Sequence, residues 1–473
     1  MTNLPAQRLM TDMSSGVIQK VKYDLAPQNS VQHALNVVFD ENYGEATVRR
    51  GCTILGSQLS GAQNIDGLYY FADSAGVNEK LLAVTNGTLQ YYSAGWAVGD
   101  TLTAGLKTRF TTFLDRVVRI NGTDTVRSSA DGITWTVGTR LDDANFPNGR
   151  FVTVYKDQVV VAGRSSRPDS LFVSSVPDAS STSISWSTGN REIVINPEDG
   201  ENITGFGEIA TLLIIFKDRS MYRWNNRSTE ADVVVNVGCS SHESIAVGGN
   251  QMFFFNDKGI WITNGGYPIR ISRRVQKWID NMSASYYANV AGYSDNEYYY
   301  CSIGDVTIDG IVYSNIVLRY TLDTKEWTVF SYANEFRVFS LNLSSGAVQI
   351  VGGDTASRVL QIESTSLTDN GTAISFEIES QDTDFGSKGI LKQVNERIMA
   401  YGENPFGMLV QVKIDSGTWV SLGTMSKNVE NFLIQKALLG HKFKFRITGS
   451  SSIARGRFQG LELPKVEALD FSA

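Results

Sequence analysis

The sequence predicts an all-β protein, a degenerate β-propeller of about six blades followed by a C-terminal antiparallel, sandwich-like β domain. Three observations lead there. From about Gly67 to Ser364 one pattern recurs: a strand-like apolar run, a Gly, Asn or Asp turn, then a run rich in aromatic and β-branched residues. LLAVTNGTLQYYS, VVRINGTDTVRSS, TLLIIFKDRSMYRWN, QMFFFNDKGIWITN and IVLRYTLDTKEWTVFS are examples, each with a short polar turn between two strands. The turn positions Asn86, Asp131, Asp218, Asp257 and Asp323 recur in an irregular register, mostly at roughly 40 to 65 residues, and a period around 40 to 50 is what four-stranded blades produce. Beyond Ser364 the character changes, because SLTDNGTAISFEIESQDTDFG brings a polar loop and then long alternating strands.

These signals divide the chain into an N-terminal arm and hairpin (1–60), a propeller (61–364) and a C-terminal β domain (365–473). The arm carries the hairpin NVVFDENYGEATVRRGCTIL and is expected to pack separately or to join the propeller. In the propeller no WD dipeptide and no kelch Gly-Gly signature recurs, hence a degenerate repeat. The run IATLLIIF, Ile209 to Phe216, is far too short to span a bilayer and fits a buried strand. RRVQKWIDNMSASYYANV places Val275, Trp278, Ile279 and Met282 at the spacing of a short amphipathic helix between blades or over one end. The terminal strands are ISFEIES, QVNERIMAYG, MLVQVKID, TWVSLGTM, HKFKFRITG and GRFQGLELPKV, enough for an antiparallel sandwich, and the polar LTDNG before them reads as a linker.

Composition sets further limits. The 473 residues exceed one ordinary core, and 42% hydrophobic against 19% charged residues, with 43 Gly and 9 Pro, is a folded, turn-rich balance. A net charge of −7 argues against a broad basic face gripping nucleic acid. Cys52, Cys239 and Cys301 are far apart without metal spacing, and His33, His242 and His441 are too scattered for a zinc site. The start MTNLPAQRLMTD has no secretory features, so a protein that stays inside the cell that makes it is expected.

No catalytic, cofactor-binding or metal-binding residue is assigned. SADGITW approaches the Asp-box of sialidase-like propellers but lacks one residue between Asp131 and Gly132; Asp131 is expected to bond its own turn and Trp135 to pack between blades. The acidic loops NPEDGEN and ESQDTDFG have carboxylates that a glycosidase would need, but solvated turns are the expected use. GRSSRPDS and RRGC suit ion-paired contacts more than phosphate sites. Nucleotide, dinucleotide and hydrolase motifs are absent from the sequence.

The opening stretch ALNVVFDENYGEATVRRGCTILG resembles the segment "N, strand, D or E, G, strand, R-x-G" near the start of hub or nozzle proteins of short-tailed bacteriophages. Asn36, Asp40, Gly44, Arg49, Arg50 and Gly51 stand at the matching places, while the central position, often a second glycine or a basic residue there, differs. The closing LLGHKFKFRITGSSSIARGRFQGLELPKVE is similar to the final strands of the same family, also called packaged-DNA stabilisation proteins or tail accessory factors. The resemblance implies a non-enzymatic virion protein that forms a homohexameric ring below the portal and its adaptor. Such a ring retains packaged DNA, conducts it through the lumen without specific binding, and touches tailspike, fibre or tail-tip proteins. It implies no cofactor and no membrane-spanning segment. A glycan-degrading or glycan-binding propeller is the alternative, marked by carboxylates or arginines gathered at one propeller mouth. Under the ring reading, Arg49 and Arg50 are expected at a contact with a neighbouring subunit or the adaptor.

Overall fold

A sheet covered on both faces buries every side chain of its central strands, so those strands read as unbroken apolar runs. In the strand Leu212–Lys217 every residue after the first is buried, the terminal lysine included. The computed structural model describes residues 2–469 other than 20, 23, 62, 179, 181, 198, 227, 229, 345, 405 and 406. Among these residues seven small antiparallel sheets form blades, six of them meanders of consecutive strands. Their innermost strands are Ile65–Ala72, Arg109–Phe113, Phe151–Tyr155, Ile203–Ile209, Ala246–Gly248, Ala291–Ser294 and Phe336–Ser344, and each packs beside the next. The last packs against the first, which closes a β-propeller. Blade 2 has three strands, with a single bridge from Ser128 to Thr136 in place of a fourth.

The count is seven, where about six was expected. The interval from Asp131 to Asp218 conceals blade 3, Phe151 to Val194, whose first turn is Lys156–Asp157 with φ of 47° and 57° rather than a glycine turn. Blade 7 is harder to see because its fourth strand is not local. Val359–Gln361 pairs with Thr53–Ile54, so the N-terminal segment supplies the outermost strand that completes the ring.

Segment 1–60, expected to pack separately or to join the propeller, joins the propeller only through Thr53–Ile54 in this topology. Apart from Thr53–Ile54, the strands of this segment belong to the C-terminal sheets: Val31–Leu35 pairs with Thr372–Ser380, Ala46–Val48 with Arg457–Leu463, and Thr2–Leu4 with Val466–Leu469. The terminal body is thus built from both ends of the chain. Its strands alternate as a sheet with one buried face should: in Thr372–Ser380, Ile374, Phe376 and Ile378 point inward, while Glu377 and Glu379 lie on the other face.

This body shares one continuous hydrophobic core with blades 5 and 6, joining Phe376, Val410 and Phe445 to Phe253, Tyr299 and Trp327. The segment 272–289 helps to fasten it. Only Gln276–Asp280 is α-helical, between 3₁₀ turns at Ser272–Val275 and Ala284–Asn289. Val275, Trp278, Ile279 and Met282 are all buried, and the Trp278 ring lies 5.7 Å from His33 and 5.1 Å from Tyr313. Among the described residues no helix is long and apolar enough to cross a membrane.

Candidate functional site: the joint between propeller and terminal body

A guanidinium carries five N–H donors and stays charged in a protein, so it can be buried only where every donor finds an acceptor. Arg49, expected at an intersubunit contact, is instead completely buried inside its own chain. Its Nε donates to Asn36 Oδ1 at 2.8 Å, Nη1 to Asp369 Oδ1 and the Arg50 carbonyl, and Nη2 to Asp369 Oδ2 and the Ser331 carbonyl. The Tyr332 ring stacks on it at 4.2 Å. Those partners come from the hairpin, the end of blade 6 and the segment after blade 7. Asp369 sits in the expected LTDNG linker, which is corrected by this geometry: the residue is buried and Asn370 N–H donates to the Cys52 carbonyl.

Asn36, Asp40 and Gly51 of the opening motif serve the same joint, while Gly44 and Arg50 do not reach it. Asn36 is buried with φ of 58°, a backbone conformation that Asn tolerates better than most residues. Its side chain donates to the Ser375 carbonyl and accepts from Ser331 N–H as well as from Arg49. Gly51 runs against the chain at Thr368, where a Cβ would come 2.0 Å from the carbonyl oxygen. Gly44 has φ of 84° and lies against Asp12. Asp40 accepts twice from Arg319 Nη2 at 3.0 Å; burial opposes its charge, but attraction to Arg319 together with a hydrogen bond from Tyr298 holds the carboxyl below its usual range. Arg50 is about half exposed and pairs with Glu41 at 3.3 Å.

Carboxyls beside this joint behave differently. Glu326 is 1% exposed with Oε1 unpartnered, and burial, followed by repulsion from Asp40, pushes it up to about 7. Burial likewise raises Glu363, against the pull of Arg319 and Arg49.

The second charged locus is the propeller axis, a cavity of about 340 Å³ lined by the innermost strands, with Tyr69, Phe110, Tyr293 and Phe339 among its walls. Arg109 and Glu243 meet there at 2.9 Å, and Arg109 lies over Phe151 at 4.6 Å. Burial works against the Glu243 charge, yet Arg109 and Lys107 prevail and hold the carboxyl at about 2. Burial, assisted by Arg109, lowers His242 to about 3 and keeps it neutral. The pair acts as an ionic plug, and a carboxyl so acidic is unsuited to donating a proton near neutrality.

The remaining sequence candidates occupy structural positions. Asp131 accepts from Ile133 and Thr134 N–H, and Trp135 packs on Phe110 in a cluster formed by blades 1 and 2. In NPEDGEN, Asp199 pairs with buried Lys217 at 2.7 Å and Glu201 with Arg219; Glu198 lies outside the described residues. In ESQDTDFG, Glu379 pairs with Lys444 and Asp384 accepts from Gly386 N–H. Arg164 and Arg167 of GRSSRPDS sit at a blade 3 turn, over Phe172 and beside Glu192 respectively. All three cysteines are buried and unbonded, with burial pushing their thiols to about 11 or 12. Among the described residues no group of three or more His, Cys, Asp or Glu could hold a metal ion.

Fold and joint together define a seven-bladed β-propeller with a sandwich-like body locked to its flank. No family model matches the chain, and no curated protein sequence matches it either. Solved structures that resemble it include "YCF48 bound to D1 peptide", at 10% identity and a TM-score of 0.42, with 65% of this chain and 94% of that one covered. The "AfRom2 CNH domain" is similar at 11% identity and a TM-score of 0.41, covering 66% and 99%. At these scores the likenesses carry no functional inference.

Two outcomes follow from the joint. Arg49→Lys removes two donors and the stacked plane, and is expected to lower stability in urea titration by roughly 3–5 kcal/mol, whereas Arg50→Glu should change it by less than about 0.5 kcal/mol. Equal effects of the two substitutions would contradict the joint. For Glu326, the folded state holds the proton more tightly than the unfolded chain, whose carboxyl has its ordinary value near 4.5. Its stabilising contribution is therefore full below that value and lost as pH rises through about 7. Glu326→Gln is expected to match wild type near the lower limit and to exceed it by ~1–3 kcal/mol at about pH 8. Urea midpoints that move in parallel at both pH values would contradict this.

Proposed function

We propose that this chain is a structural protein of a short bacteriophage tail, of the hub or nozzle class. It forms a homohexameric ring below the portal and adaptor, retains packaged DNA and lets it pass during ejection. The observation that carries this reading is the use made of the motif residues. Asn36, Asp40, Arg49 and Gly51, which are among the residues that bear the resemblance, fasten or permit the close packing of one joint, and that joint ties the N-terminal segment, the propeller and the terminal body together. The pairing of Arg109 with Glu243 at the axis supports a structural role over the glycan-acting alternative, since it commits the charges that such a site would present. An acidic chain is also consistent with a lumen that releases DNA. Adaptor subunits above and tailspike, fibre or tip proteins below are the partners this role requires.

Electron microscopy of the purified chain, alone and with adaptor-bearing particles, tests the proposal. Rings with a central bore, and particles that keep their DNA only when the chain is present, are expected. Reproducible sugar release from capsule or lipopolysaccharide, without ring formation or particle binding, would overturn the reading in favour of the alternative.

A further inference from the structure

The chain from Val429 to Gly440 forms the free margin of two sheets. Val429–Leu433 is the last strand of a six-stranded sheet, and Leu438–Gly440 the last strand of a four-stranded one. Unpaired margins are normally short, charged or covered. This one leaves Val429 45%, Leu433 77% and Leu439 49% exposed. Within 429–440 it carries Lys436 and a single carboxylate, Glu430, which is already paired with Lys427 and Ser426. Lys436 is exposed and has no ionic partner among the described residues.

A complementary surface lies elsewhere on the ring. Blades 3 and 4 end in Arg191–Val194 and Asp232–Val235, both outermost strands with an open edge. Between them runs a groove of about 660 Å³, lined by Val194, Pro197, Ala231 and Val233 together with Glu192 and Glu230 and the polar Asn196, Tyr222 and Asn236, with no lysine or arginine among the described lining residues. Val194 is 38% and Val233 63% exposed. Glu230 has no ionic partner among the described residues, and Glu192 has only Arg167, at 4.0 Å. The terminal body docks on blade 6, so its margin and this groove are different patches of the chain, two to three blades apart.

We propose that the margin 429–440 of one copy lies in the groove between blades 3 and 4 of the next copy, with Leu433 and Leu439 against Val194 and Val233 and Lys436 facing Glu192 and Glu230. The inference rests on the ring reading above and deepens it by locating the contact. A margin meeting a different patch on an identical neighbour is a heterologous interface, which generates a ring when the rotation closes. Open strand edges on both sides supply main-chain hydrogen bonds, and the opposite charges fix register and direction.

Cysteine cross-linking of full-length chains tests it, since Cys52, Cys239 and Cys301 are all buried and leave little background. Val233→Cys and Leu439→Cys chains mixed under mild oxidation are expected to give about tenfold more disulfide-linked dimer than either alone. Glu192→Lys with Glu230→Lys in the Val233→Cys chain should remove the excess, and Lys436→Glu in the Leu439→Cys chain should restore it. Thermal melting of each variant checks that folding is retained. If wild type forms rings but the mixture gives no excess dimer, or if the charge reversals leave the dimer unchanged, the contact is overturned and the ring reading stands. If wild type forms no rings and the mixture gives no dimer, both fall.

Discussion

The Arg49–Asp369 pair is the constraint on which the rest of the molecule depends. A buried guanidinium is tolerable only when its whole donor set is satisfied, and here the acceptors are Asn36, Arg50, Ser331 and Asp369. No one of those segments can provide the site alone. Two residues beyond Arg49, Gly51 threads past Thr368, and Thr53–Ile54 then completes blade 7. The ion pair therefore anchors the strand that closes the propeller and, through Asn36 and Ser375, the sheet beside it. A break there leaves an uncompensated charge in the core and frees the closing strand at the same time.

This arrangement explains why the molecule has two kinds of strand yet one large core. Blade strands are covered on both faces and read as unbroken apolar runs; the terminal sheets have one buried face and alternate. Where the two bodies meet, blade 6 packs its outer strand Trp327–Ser331 beside Val31–Leu35, and Asn36 N–H donates to the Val329 carbonyl. Trp278 adds a ring between His33 and Tyr313. Such continuity keeps the two bodies from sliding past one another, because packed interfaces resist small deformations.

Local features were legible in the sequence, and long-range ones were not. The hairpin turn of TNGT follows from Asn86 and Gly87, both at positive φ, and the Asp131 turn from a carboxylate that caps its own backbone. Blade 3 escaped although Lys156–Asp157 adopts the same turn geometry, because its turn has no glycine and its aspartate was not counted among the repeat positions. Blade 7 and the origin of the terminal sheets depend on pairings across some three hundred residues, as between Thr53 and Gln361, which no periodicity encodes. Arg49 shows the limit most clearly. Arg49 and Arg50 are adjacent and chemically identical, and only the fold makes the first a buried anchor and the second a surface ion pair. Gly51 was the available clue, since a glycine following paired arginines marks a close approach of two backbones.

Propeller and terminal body, on this account, are one cooperative unit held by a shared core and a shared charge. Scanning calorimetry of the intact wild-type chain tests that most directly. A single transition whose calorimetric enthalpy equals its van't Hoff enthalpy is the result the account requires. Two separable transitions, with the terminal body melting away from a propeller that stays closed, would contradict it.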